Sequence, residues 1–165
     1  MDFEVVHTFD ASRADVVEAD LAAEFQGSLR DLGPLAERAV LSQERDADGT
    51  VVRRTRCVLD VELSGMARSI LGDAKPAWIE EATWDPDEWT WRWVIQPEVA
   101  AELLSAHGTT SFSETDGVTA RRVSGTVKVN VPLYGGKVER WIVTGIERTY
   151  QEEAARLQEW LRGAR

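Results

Sequence analysis

The sequence predicts an α+β fold: a seven-stranded antiparallel sheet, two short helices after the first strand, and one long C-terminal helix. Three observations carry that expectation. An alternating strand runs directly into a capped helix at the N-terminus, three turn-linked strand pairs follow, and a single unbroken apolar stripe ends the chain.

Phe3, Val5, His7 and Phe9 alternate with Asp2, Glu4, Thr8 and Asp10, which is the period of a half-buried strand. Ser12 with Asp15 three residues later marks a helix start, and Val17, Leu21 and Phe25 then recur every fourth position on one helix face. Gly27 is expected to break this helix; a second short helix holds Leu29 and Leu32, and Gly33-Pro34 ends the pair. Strands over Arg38–Arg45 and Val51–Leu59 flank Asp46-Ala47-Asp48-Gly49, where Asp-Gly supplies the backbone a hairpin needs. A second pair, Lys75–Trp84 and Glu88–Ile95, turns at Asp85-Pro86-Asp87, and a third, His107–Glu114 and Val118–Val131, turns at Thr115-Asp116-Gly117.

In the last strand Val123, Val127, Val129 and Val131 point one way, and Arg122, Ser124, Thr126, Lys128 and Asn130 the other. Pro132 and Gly135-Gly136 end it. Val138, Ile142, Ile146, Tyr150, Ala154, Leu157 and Leu161 then form one helical stripe. From about residue 137 to 162 such a helix spans roughly 39 Å, enough to cross a sheet. Asp60–Asp73 and Gln96–Ala106 fit neither a strand nor a long helix.

Composition bounds the function. A chain of 165 residues, 43% apolar and 29% charged, fits one globular domain covering 1–165. It needs no disulfide or metal staple. The net charge of -10 opposes a phosphate backbone, so nucleic acid is not an expected partner. The lone Cys57 excludes an intramolecular disulfide and fits a reducing, cytoplasmic setting; the N-terminus does not read as a signal peptide, and no apolar run is long enough for an integral membrane segment. Basic residues are mostly Arg, scattered rather than clustered, which reads as the codon bias of a GC-rich bacterial genome.

Strand, two short helices, six antiparallel strands and a long helix is the element order of the helix-grip fold, and here the sequence resembles the START-like superfamily, also called SRPBCC or Bet v 1-like. The opening FEVVHTFDASRADVVEAD resembles the strand, cap and first helix with which many members begin. VSGTVKVNVPLYGGKVERWIVTGIERTYQEEAARLQEWL, Val123 to Leu161, resembles the C-terminal half of an uncharacterised bacterial family within that superfamily, and LSGMARSILGD, Leu63 to Asp73, sits where that family has a similar stretch. The resemblance implies a sheet wrapped around the C-terminal helix with a cavity between them. It implies binding of a small hydrophobic or amphipathic ligand, such as a lipid, polyketide or quinone-like molecule. It admits as alternatives a cyclase or aromatase-type enzyme using the same cavity, or a filled-core interaction module, since the fold does not select the chemistry.

Trp89, Trp91 and Trp93 share parity with Ile95, so they read either as an aromatic ligand wall or as packed core. Trp141, Ile142 and Gly145 lie on the long helix, where a glycine costs ~1 kcal/mol relative to alanine and marks a close approach by the sheet or a ligand. Met66 and Ile70, in a glycine-flanked stretch that the resemblance puts at the cavity mouth, suit a movable lid or a static loop. Tyr134 either donates into the cavity or caps the helix entrance. These nine residues are the expected ligand-binding set. Arg54, Arg56, Glu81, His7 and Tyr134 are the polar groups available to an enzyme, with Arg54 and Arg56 sharing the side of Val52, and Glu81 that of Ala77 and Ile79. His7, His107 and Cys57 lack metal-ligand spacing, and Cys57 with His7 lacks an activating motif; no metal, cofactor or catalytic residue is expected.

Overall fold

The computed structural model describes residues 1–60, 62, 65, 68, 72, 73 and 75–163. Strand β1 (Asp2–Phe9) leads into α1 (Arg13–Leu21) and α2 (Ala23–Ser28), followed by β2 (Leu35–Arg45), β3 (Val51–Leu59), β4 (Ala77–Asp85), β5 (Thr90–Pro97), β6 (Leu104–Thr115) and β7 (Val118–Val129); a long helix, α3 (Gly135–Gly163), ends the chain. The strands form one antiparallel sheet in the order β1-β7-β6-β5-β4-β3-β2. β1 therefore closes one side against β7, while α1 and α2 carry the chain across to β2 on the other. This is the helix-grip arrangement the sequence implied.

Ser12 caps α1, its hydroxyl accepting the Asp15 N–H at 3.2 Å. The expected break at Gly27 falls instead at Ala22, whose extended backbone (φ -67, ψ 126) separates α1 from α2. This corner turns α2 so that Phe25 and Gln26 face inward. α3 is gripped unevenly. Its C-terminal half buries Ala154, Leu157 and Leu161 in a core with Val16, Phe25, Leu29 and Leu32, whereas Ile142, Ile146 and Tyr150, nearer its start, pack only partly.

Trp93 shapes the centre of the sheet. Its indole lies across Gly108 and Gly125, cross-strand partners on β6 and β7, and stacks on Phe3 at 6.2 Å. A Cβ at Gly125 would stand 2.6 Å from the Trp93 ring and 2.8 Å from the His107 carbonyl. These glycines are needed for space rather than for backbone freedom. Gly125→Ala should therefore lower stability by about 1–3 kcal/mol in urea unfolding, the usual cost of overpacking. Adding Trp93→Leu should recover part of that loss; an unaltered unfolding midpoint in the single variant would contradict the packing.

Candidate functional site

The concave face of the sheet is built from alternate residues of each strand, and a chain of polar side chains crosses it under the helices. Asp20, on the same face of α1 as Val16 one turn earlier, is buried. Its Oδ2 accepts the Trp91 Nε1–H at 3.1 Å and lies 3.6 Å from the Arg53 guanidinium, which also donates to the Asp20 carbonyl at 3.0 Å. The Arg53 guanidinium stands 4.4 Å from the centre of the Trp91 ring. Gln26 donates to the same Asp20 carbonyl at 2.7 Å, and Arg38 donates to the Gln26 carbonyl at 3.1 Å and to its side-chain oxygen at 2.7 Å. One carboxylate thus ties α1 to α2, β3 and β5.

A second cluster lies beneath α3. Arg121 on β7 is 1% exposed; it donates to the Glu153 carboxylate and, at 3.3 Å, to the Tyr150 carbonyl, with His7 Nδ1 at 3.5 Å. Burial alone would raise the Glu153 carboxyl, but the charge of Arg121, with Arg38 and Arg53 behind it, holds it below the usual range. His7 is lowered from its ordinary 6.5, first by burial and then by the Arg121 charge, against a Gln151 hydrogen bond and the Glu153 charge. Burial, reinforced by the charges of Glu80 and Glu153, pushes the Tyr150 hydroxyl well up.

Between the clusters stands Glu80. It shares the concave face with Trp78, Ala82 and Trp84, faces Thr55 on β3 and Ile95 on β5, and is only half-buried. Among the described residues it has no hydrogen-bonding or ion-pair partner. Burial pushes its carboxyl up, Arg53 and Arg38 pull it back in part, and Glu153 and Asp20 add to the rise. Beside it, the Thr55 hydroxyl is buried and unpartnered, as is the Arg53 Nε–H. A groove of about 750 Å³ opens between α2 and β2, lined among others by Gly27, Arg30, Val40 and Gln43, and by the Gln26–Arg38 pair that the interior network shares.

The expected residues are distributed unevenly over this site. Trp91 and Trp93 are buried on the concave face, but their rings already serve Asp20 and Arg53, and Gly108 and Gly125, respectively. Trp89 leaves the alternation because its left-handed backbone (φ 53) closes the β4–β5 turn, and its ring lies 3.9 Å under the Arg13 guanidinium outside the strand. Ile142 is half-buried over the interior. Trp141 is 54% exposed and Tyr134 45%, so neither is enclosed, and a Cβ at Gly145 would meet nothing within 4 Å. Met66 and Ile70 lie outside the described residues.

The polar set is corrected by one position on two strands. Arg54 pairs with Glu81 on the outer face at 3.4 Å, and Arg56 pairs outside with Glu98 at 2.6 Å; the inward groups are Arg53 and Glu80. The Val51-Val52 and Cys57-Val58 doublets let β3 be read in either parity. Arg121, Asp20 and Glu153 were not singled out, although Arg121 shares the parity of Val123 and Val127. Burial pushes the Cys57 thiol up to about 12, and β3 and β1 are separated by four strands, so Cys57 and His7 form no nucleophile–base pair. Among the described residues no group of three or more His, Cys, Asp or Glu is placed to hold a metal ion, and no helix is long and apolar enough to cross a membrane.

This geometry, an antiparallel sheet gripping a terminal helix, is the helix-grip fold of START-like and Bet v 1-like proteins. The chain belongs to the family described as Protein of unknown function (DUF2505), whose model matches residues 4–161. A solved protein of Thermus thermophilus is similar at 16% identity and TM-score 0.69, covering 99% of each chain. The Zhui aromatase/cyclase of Streptomyces sp. R1128 is similar at 11% identity and TM-score 0.62, covering 98% of this chain and 93% of its own. A START superfamily protein of Mycobacterium smegmatis is similar at 12% identity and TM-score 0.60, with 99% of each chain covered. At these identities the likeness shows the fold. No curated protein matches the chain.

Two measurements probe the site's electrostatics. Arg121→Met should cost about 3–5 kcal/mol in denaturant unfolding, since it strands Glu153 inside, and the double variant with Glu153→Met should restore most of it. An additive loss would mean the pair is not coupled. His7 binds its proton more weakly folded than unfolded, so it lends stability above 6.5 that is lost as pH falls below that value. His7→Gln should flatten the decline in melting temperature just below neutrality; an identical decline in both proteins would exclude His7 as its source.

Proposed function

We propose that residues 1–165 act as one binding domain that holds a small hydrophobic or amphipathic ligand, lipid-, polyketide- or quinone-like, between the sheet and α3. The observation that carries this reading is the incomplete closure of the interior: Trp78, Ile95, Leu104, Ile142, Ile146 and Tyr150 point between sheet and helix yet stay half-buried. Covering such apolar surface favours binding by about 25 cal/mol per Å² removed from water. Of the expected wall, Ile142 remains in this proposal, with Trp91 and Trp93 as the floor beneath; Met66 and Ile70 lie outside the described residues. Trp89, Tyr134, Trp141 and Gly145 leave it because of where they stand.

A second reading, a cyclase or aromatase-type enzyme in the same interior, draws on the convergence of Glu80, Tyr150 and His7 around that space, and on the name of the Streptomyces neighbour. It requires a ligand carbonyl within hydrogen-bond reach of one of these groups. Tryptophan emission distinguishes an occupied interior from a filled one. A panel of lipids, polyketides and quinones should shift the wild-type emission saturably, and Ile146→Trp, which occupies the space under α3, should weaken every such response while the protein stays folded. Absence of any response across the panel in the wild type would sink the binding reading.

A further inference from the structure

Most of the exposed apolar side chains are scattered along strands and turns, as on an ordinary protein surface. Leu133, Tyr134 and Trp141 instead stand together where β7 gives way to α3. Leu133 is 99% exposed and holds a left-handed backbone (φ 66), which a branched side chain adopts only at a cost. The turn that presents it is tightly built. The Gly135 N–H donates to the Val131 carbonyl at 2.9 Å, the Lys137 N–H donates to the Tyr134 carbonyl at 3.0 Å, and a Cβ at Gly135 would collide with the Val129 carbonyl. A leucine kept both strained and in water lowers the stability of the fold twice over, so packing does not account for it.

The same surface is basic. Lys137 and Trp141 follow Tyr134 at spacings of three and four, which puts all three on one helix face, with Arg140 beside Trp141. Among the described residues neither Lys137 nor Arg140 has an ion-pair partner. Glu139, the acid between them, turns inward, where its carboxylate accepts from the Val129 N–H at 2.9 Å and from the Met1 ammonium at 3.4 Å. Acids flank the surface: Glu147 lies further along α3, and Glu102 lies in the loop that Asn130 reaches by donating to the Leu103 carbonyl at 2.8 Å. The basic character is therefore confined to the start of the helix.

We propose that this turn and the first turns of α3 dock on an anionic phospholipid bilayer. Leu133 enters the acyl boundary, the Tyr134 and Trp141 rings sit at headgroup level, and Lys137 and Arg140 meet the lipid phosphates. A chain with a net charge of -10 can approach such a bilayer only by a basic face, and acids more than a Debye length of about 8–10 Å away are screened. A second copy seated on this patch about a two-fold axis would set Lys137 and Arg140 against their own kind. The docking concerns the outer surface and does not depend on what the interior binds.

Flotation of the intact chain with vesicles of phosphatidylcholine, and of equimolar phosphatidylcholine and phosphatidylglycerol, tests the proposal. The mixed vesicles are expected to bind about tenfold or more tightly than the neutral ones, and added salt to weaken that binding. Leu133→Asn, which suits the left-handed backbone, and Trp141→Ser should each weaken it about tenfold, with melting temperatures no lower than wild type. Lys137→Glu combined with Arg140→Glu should abolish the preference for anionic vesicles. Leu41→Ser, at an exposed leucine on β2, and Ile146→Trp, which fills the interior, should both float as the wild type does. No binding to the mixed vesicles, equal binding to both kinds, or binding indifferent to Leu133→Asn and Trp141→Ser would each overturn the proposal. A dimer in sedimentation that Trp141→Ser dissolves, without vesicle binding, would overturn it in favour of a second copy. Each of these results leaves the interior binding reading standing.

Discussion

The long helix is held near both ends, at its start by the buried Val143 and by Glu139, whose carboxylate accepts the Val129 N–H at 2.9 Å. Leu157 and Leu161 are fixed in a core with Val16, Phe25, Leu29 and Leu32, while the earlier turns, carrying Ile142, Ile146 and Tyr150, bridge the sheet with their side chains still half in reach of solvent. Because a helix is stiff over this length, these two anchorages together set its height above the strands. How closely those half-buried side chains approach the strands separates a carrier from a filled core.

The concave face of the sheet is more polar than an apolar carrier requires. Buried charges are costly unless matched, and this chain matches most of them: Asp20 serves Arg53, Trp91 and Gln26, and Glu153 serves Arg121. These pairs also fasten elements that share no backbone hydrogen bonds, α1 to β3 and β5, and α3 to β7. Glu80 is the exception. A carboxyl left without a partner among the described residues, beside an unpartnered hydroxyl, adds little to the stability of the sheet.

Fold and site were not equally legible in the sequence. Hairpin turns, the Ser12 cap and the helix stripe are local signals, each a consequence of backbone geometry within a few residues, and they located the strands to within a few positions at their ends. Strand parity failed where apolar doublets made both faces plausible: Val51-Val52 and Cys57-Val58 concealed Arg53, and Ala77 with Ile79 drew attention to Glu81 rather than Glu80. Arg121 carried a readable signal in its spacing from Val123 and Val127. Asp20 carried one in its helical spacing from Val16. Nothing within the strand announced that Trp89 would break step, because that depends on the left-handed residue closing its turn.

The sequence by itself determined the order of elements, the antiparallel pairing and the amphipathic helix, since periodicity and turn chemistry act between near neighbours. Only the tertiary structure decided which charged residues face inward, which partners they find, and which acid is left alone. Those outcomes depend on side chains drawn from six separate elements meeting in one low-dielectric space. No spacing along the chain encodes such a meeting.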